Sequence, residues 1–215
     1  MKTQPPNSKF GLLLDYGGVL TTSVAESFGA FCSQEGIEEK AFWALLLEAL
    51  DERGSPFAQV ETGAISDEDF ERSVADLLNQ RCGSSVEPVG LKQRLFAGTS
   101  PDQRMARFVR DARGAGVKTA LVSNSWGLGT YPRDTLEELF DVVLLSCELG
   151  MRKPDPAIYL EAARRIGVRP RDCVFVDDLR ANVVGAEAVG MTGVLHRKVE
   201  QTVARLGDLL GIGIV

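Results

Sequence analysis

Asp177 and Asp178 stand side by side at the end of an apolar run, CVFVD, and a second apolar run, FGLLLD, ends in Asp15 with Tyr16-Gly17-Gly18 directly behind it. Adjacent carboxylates at a buried strand end repel one another unless a cation offsets their charge. Together with Asp15 they make a set of hard oxygen donors, the kind Mg²⁺ takes alongside water and phosphate oxygens. The plainer use of one of them is to cap the following helix. Ser123-Asn124-Ser125 follows the run VKTALV. There the serine hydroxyl and the amides of Asn124 and Ser125 could hold the oxygens of a phosphoryl group, although a serine in such a loop is also an ordinary turn residue. Arg152-Lys153-Pro154 comes shortly after VVLL, and the proline restricts the backbone of Lys153 to extended conformations that help aim its ammonium. Each group alone has a structural use. Four strand ends carrying such groups in one chain point to a site where a nucleophilic carboxylate, a cation and a phosphate-binding loop converge.

The elements that must position these groups follow from hydrophobic periodicity. Residues 10–15 read as a buried strand running into a tight loop. From about residue 24 to 80 the pattern is helical, in VAESFGAFCSQEG, EKAFWALLLEALDERG and SDEDFERSVADLLNQ, the last opening on Ser66 with Asp69 three positions on, close to a capping box. After Pro101 helices and strands alternate: helix 101–114, strand 117–122, helix 133–140, strand 142–145, helix 155–167, strand 173–177, helix 180–189, strand 192–195 and a closing helix near 199–210. Such alternation indicates parallel βαβ units covered on both faces. The expected fold is α/β: a doubly wound, Rossmann-like parallel sheet built from residues 1–20 and 100–215, with an all-helical cap inserted at 21–99. Ligands of open α/β sheets bind beyond the carboxyl ends of the strands, so an insert leaving the first strand there lies over the site.

Composition narrows the function further. The 215-residue chain is 44% hydrophobic and 25% charged with a formal net charge of −6, and its basic residues are interspersed with acids. This argues against a nucleic-acid partner, and the lack of a long apolar run argues against a membrane span. Residues 1–9 lack a secretory apolar stretch and read as a short mobile lead-in, giving an expected cytoplasmic location. The four cysteines are scattered and His196 is the only histidine, so a zinc site is excluded and any metal is a hard cation.

LLLDYGGVLT, LVSNS, GMRKPDPAIY and VFVDDLRANVVGA together resemble, in order, the four motifs of the haloacid dehalogenase superfamily. The subgroup most resembled, subfamily I, has an α-helical cap between the first two motifs. It includes glucose-1-phosphate phosphatase-like enzymes and the phosphatase-like domains fused to some epoxide hydrolases and acyl-CoA dehydrogenases. The resemblance implies hydrolysis of a small phosphorylated metabolite by a monomer or homodimer with Mg²⁺ as cofactor. It implies that Asp15 attacks phosphorus to form an aspartyl-phosphate and that Ser123 and Lys153 hold the transferring group, with Gly18, Asn124 and Ser125 lining the phosphate site. Mg²⁺ falls to Asp15, the Gly17 carbonyl, Asp177 and Asp178, and Asn182 supports these ligands from behind.

One position departs from the pattern. Most phosphatases of the superfamily carry an aspartate two residues after the nucleophile, which protonates the leaving group and then activates water; here that residue is Gly17. A positioned acid or base is worth about 10²–10⁴-fold, so turnover is expected to be slow. The gap leaves two alternatives open. A 2-haloacid dehalogenase needs no leaving-group proton, although in the superfamily it needs no Mg²⁺ and generally lacks the paired aspartates. A phosphometabolite-binding protein that has lost useful turnover would have no reason to keep Asp15. In the cap, Phe28, Phe31, Phe42 and Trp43 are expected to form its own core. Arg53 and the turn Glu61-Thr62-Gly63 could reach the mouth of the site, and Trp126 could either flank substrate or pack on the cap.

Overall fold

The computed structural model describes residues 10–52, 54–127 and 131–213; the lead-in at 1–9 and Arg53 lie outside these. Strands β1 (Gly11–Leu14), β2 (Lys118–Ser123), β3 (Val142–Leu145), β4 (Cys173–Asp177) and β5 (Thr192–Leu195) form one parallel sheet in the order β3-β2-β1-β4-β5. The reversal of strand order around β1 is the switch point at which a doubly wound sheet opens a crevice. Pairing continues one residue past β1, where the Asp15 amide donates to the Val176 carbonyl at 2.9 Å.

Alternation along the strands divides the apolar side chains between two faces. Leu12, Leu14, Leu121, Val174 and Val176 point to one face, where they pack with residues of α6 (Gln103–Gly114), α7 (Arg133–Leu139) and α11 (Val199–Leu210). Leu13, Ala120, Val122 and Phe175 point to the other, against α9 (Pro156–Ile166) and α10 (Arg180–Ala188). Burial on both faces explains why these strands read as unbroken apolar runs.

Helices α1 (Val24–Glu35), α2 (Glu39–Asp51), α3 (Pro56–Glu61), α4 (Asp67–Cys82) and α5 (Leu91–Leu95) follow β1 and share a third apolar cluster centred on Phe28, Phe31, Phe42, Phe57 and Phe70. Ser66 caps α4 by accepting from the Asp69 amide at 3.1 Å, as the sequence anticipates. Helices α3 and α5 were not anticipated. Six and five residues long, they are too short to show a periodic apolar stripe, and Ser55 with Pro56 starts α3 by its cap and fixed φ. The chain leaves and re-enters the sheet region at one place: Thr21 bridges Pro101, the Thr22 amide donates to Ser100, and the Asp102 amide donates to Leu20. Among the described residues no helix is long and apolar enough to cross a membrane.

Candidate active site

The ends of β1 and β4 and the turn after the four-residue helix α8 (Ser146–Leu149) bring Asp15, Asp177 and Lys153 into one buried cluster. The Lys153 ammonium donates to Asp15 Oδ1 at 2.6 Å and to Asp177 Oδ2 at 2.7 Å. With Lys153 only 1% exposed, this cation lies between two carboxylates with almost no water to screen it. Burial alone would lower its pKa, but the two carboxylates outweigh burial and hold it above the ordinary lysine range. Burial also pushes the Asp15 carboxyl up to about 7; Lys153 opposes that rise, while the charges of Asp177 and Asp178 add to it. Asp178 rises to about 6, through burial first and the neighbouring Asp177 second.

Asp15, Asp177 and Asp178 each place a carboxylate oxygen within 4.8 Å of the others. Three carboxylates this close, with Asp15 and Asp178 raised by burial first and by their like-charged neighbours second, suit a divalent hard cation. Their surroundings divide the roles. Asp177 accepts from Lys153 and the Leu179 amide, and both of its oxygens accept from Asn182 Nδ2 at 3.0 and 3.1 Å. Its lone pairs are thus committed to protein donors, and Asn182 stands behind it. Gly18 has φ of 71°, and a Cβ there would lie 2.5 Å from Asp178 Oδ2, so only glycine lets the loop close against this carboxylate. The Gly18 amide donates to Thr21 Oγ1 at 3.0 Å.

In the loop after β2 one of the expected donors, the Ser125 amide, is already taken. Ser123 is buried, and its hydroxyl pairs with Tyr131 Oη at 2.9 Å. The Asn124 side chain brackets the backbone of Lys153, accepting from its amide at 2.8 Å and donating to its carbonyl at 3.0 Å. Asn124 therefore sets where the lysine stem begins. Ser125 is fully buried; its amide donates to Ser146 Oγ at 2.9 Å and its own Oγ accepts from the Cys147 amide, so this amide is not free for a phosphate oxygen. A single sequence cannot distinguish a loop amide aimed at ligand from one satisfied by a neighbouring serine.

A cavity of about 390 Å³ adjoins the cluster, lined by Asp15, Gly17, Ser123, Lys153 and Asp178 and by helical residues including Phe28, Trp43 and Leu46. Phe28 and Trp43 thus serve the helical core and the cavity at once. Trp126 resolves the same way: its ring packs with Phe28, Phe57, Phe70 and Phe96 while lining the cavity. Lys92 donates to the Trp126 carbonyl at 3.0 Å, and Gly127, with φ of 89°, runs so close to Asp67 and Lys92 that a Cβ would collide with both.

Sequence reasoning missed Tyr131 and gave Glu61 too small a part. Glu61, 4% exposed, accepts from Trp126 Nε1 at 3.1 Å and pairs with Arg152 Nε at 3.0 Å. Arg152 also donates to the Leu50 carbonyl at 3.1 Å, so this ion pair ties helices α2 and α3 to the Lys153 segment. Burial raises the Glu61 pKa, against the pull of Arg152. Burial raises the Tyr131 pKa too, leaving it a neutral hydrogen-bonding group.

The family model described as a hydrolase, haloacid dehalogenase-like hydrolase, matches residues 11–190. A phosphatase of Mycobacterium tuberculosis is 36% identical over 150 residues, 67% of this chain and 67% of that protein. A glyceraldehyde 3-phosphate phosphatase of Methanopyrus kandleri is 32% identical over 134 residues, 57% and 58% of the two chains. Mouse acyl-CoA dehydrogenase family member 10 is 27% identical over 207 residues, 93% of this chain but 19% of that protein, so the chain spans only part of these relatives. Among solved structures, a predicted HAD-like family hydrolase from Porphyromonas gingivalis superposes with a TM-score of 0.66 at 24% identity, covering 92% and 97% of the chains. A HAD family enzyme of Bacteroides thetaiotaomicron, solved with magnesium and inorganic phosphate, gives 0.63 at 20% identity over 87% and 94%. At these identities the structural likeness concerns the fold.

Proposed function

The chain belongs to the haloacid dehalogenase-like hydrolases, and from that membership we propose that it is a Mg²⁺-dependent phosphatase of small phosphate monoesters working through Asp15. The observation that carries this reading is the ammonium of Lys153 bridging Asp15 and Asp177 beside Asp178 at the floor of a cavity. Asp15, Asp178 and the Gly17 carbonyl are the groups that would hold Mg²⁺, with Asp177 contributing charge and anchoring Lys153. When bound, Mg²⁺ supplies positive charge that lowers repulsion between carboxylate and phosphate dianion.

The chain's own residues account for the rest. Lys153 favours the ionised form of Asp15 and holds it in place, and the Ser123 hydroxyl, steadied by Tyr131, donates toward the phosphoryl oxygens. An Asp15 oxygen attacks phosphorus, the ester P–O bond breaks, and the departing alkoxide takes a proton from water. Water then attacks the aspartyl-phosphate, releasing inorganic phosphate and restoring the carboxylate. Helices α1–α5, spanning the insert at 21–99, act as the cap that closes over this chemistry.

Gly17 leaves the departing oxygen without a carboxylic acid beside it, so esters with acidic leaving groups react disproportionately fast. The test is a series of aryl and alkyl phosphates assayed with Mg²⁺ and with EDTA, alongside trapping of labelled phosphate on Asp15. A steep dependence on leaving-group pKa is expected, and Gly17→Asp should flatten it by accelerating alkyl esters about 10²-fold or more. A Cβ at 17 comes 3.1 Å from Val24 Cγ2, so Val24→Ala belongs in the same protein. A flat series in the unaltered chain would refute the acid-free mechanism. Halide release from 2-haloacids, indifferent to EDTA, would replace it with dehalogenation.

A further inference from the structure

The cavity is built of two unlike parts, and the part away from Asp15 is apolar. Phe28, Trp43, Leu46, Leu50, Phe96 and Trp126 line it, and on the strand-end side Leu179, 56% exposed, adds a further apolar lining residue. The polar side chains in this wall are already engaged. Thr21 donates to the Thr22 carbonyl and accepts from the Gly18 amide, each at 3.0 Å. Thr99 donates to the Phe96 carbonyl at 2.7 Å, and Glu61 is held by Trp126, Arg152 and Asn124. With their donors already used, these groups offer a polyol few partners, so its hydroxyls would regain fewer hydrogen bonds here than they give up to water.

Charge points the same way. Among the described residues, Lys153 is the one cationic side chain lining the cavity, and it is taken up by Asp15 and Asp177. A second phosphate or a carboxylate on the substrate would therefore find no cation in the wall and would face Glu61. Near the reacting end the direction a side chain would take from residue 17 is filled by Val24, so apolar surface reaches the position of the leaving group.

Resting on the phosphatase reading, we infer that the substrate is a monophosphate ester of a hydrocarbon-rich alcohol, bound with its chain against the aromatic and leucine wall, and not a sugar phosphate, nucleotide or bisphosphate. Recognition is then divided: the strand ends hold one phosphate and the helices hold an apolar body by burial of its surface.

Both tryptophans of the chain, Trp43 and Trp126, line the cavity, so their fluorescence reports its occupancy directly. Straight-chain alkylphosphonates from ethyl to octyl, which cannot be hydrolysed, are titrated into the full chain with Mg²⁺. The matching alkyl phosphates, glucose 6-phosphate, glycerol 3-phosphate and AMP are assayed for turnover, with p-nitrophenyl phosphate as reference. Affinity and kcat/KM should rise about fourfold per methylene, on the order of 10²-fold from ethyl to hexyl, with the polyol and nucleotide esters below butyl phosphate. Leu50→Asn, at a half-buried position, should lower the octyl-to-ethyl ratio at least tenfold in a protein whose melting curve shows it folded. Turnover of p-nitrophenyl phosphate with a flat alkyl series, or preference for a polyol, overturns this inference and leaves the phosphatase reading intact. Chain-length-dependent phosphonate binding without turnover of any ester overturns the phosphatase reading and leaves only the apolar recognition of a phosphorylated chain.

Discussion

The two ends of the cavity are made by different means. At the strand ends, Asp15, Lys153, Asp177 and Asn182 are locked by direct hydrogen bonds, and the positions of Asp15 and Asp177 follow from the register of β1 and β4. Across from them, the wall of α1, α2 and the Trp126 ring is held chiefly by packing, with aromatic centroids 5.0–5.9 Å apart around Phe28 and Trp126, and the indole N–H groups of Trp126 and Trp43 donate to Glu61 and Glu39. Directional bonds fix a reaction geometry, whereas packing fixes a shape and a polarity. On the proposed reading, the difference teaches that this site separates the chemistry from the selection of the molecule.

The sharpest way to break that contrast is to remove the central cation. Lys153→Met leaves Asp15, Asp177 and Asp178 mutually repelling in a buried place. It should cost roughly 3–5 kcal/mol in urea denaturation, the usual loss when one partner of a buried pair is removed. Turnover should fall by about 10³-fold or more. A stability close to that of the unaltered chain would show that the carboxylates are not held against repulsion by this lysine.

A second test sharpens the electrostatic side. Asp15 and Asp178 have folded-state values of about 7 and about 6, above the ordinary 3.8. Between these limits the folded chain holds protons that the unfolded chain has released, so the metal-free protein loses stability as pH rises from about 4 to 7. Mg²⁺ offsets the same repulsion, and should therefore raise Tm by more at pH 8 than at pH 5. Calorimetry with Mg²⁺ and with EDTA at both pH values measures this, and equal shifts would remove these carboxylates from the metal site.

The smallest effect belongs to the seam between the two ends. Arg152→Ala leaves Glu61 buried without its ion pair and should cost about 1–3 kcal/mol. Adding Glu61→Gln should recover part of that loss. A double variant no more stable than Arg152→Ala alone would mean that the pair does not join the helices to the Lys153 segment.

The same division governs what the amino-acid order disclosed. The parallel sheet was legible because both faces of each strand are covered, which writes apolar runs such as CVFVD into the chain. Asp15, Lys153 and Asp177 were legible because several charged groups follow separate strand-like runs in one chain, although each alone has an ordinary structural use. Ser125 misled because its amide is satisfied by Ser146, a residue distant in sequence. Tyr131 and Glu61 stayed hidden because their importance lies in their partners, Ser123 and Arg152, which only the folded chain brings near. The wall was the least legible of all: Phe28 and Trp43 at helical spacing look the same whether they fill a core or face a ligand, and here they do both.

Trp126 sits three residues beyond Ser123 on a loop of the sheet region, yet its ring is embedded among the phenylalanines of helices α1, α3 and α4 and its carbonyl is held by Lys92 of α5. A swing of those helices away from the sheet must therefore either extract an indole from an apolar cluster or carry the serine loop along. On the phosphatase reading proposed above, admission of substrate and grip on phosphate become a single mechanical variable, so a molecule that props the helices apart also slackens the hold on its own phosphate. Size exclusion in this protein then acts on the rate of reaction as much as on entry.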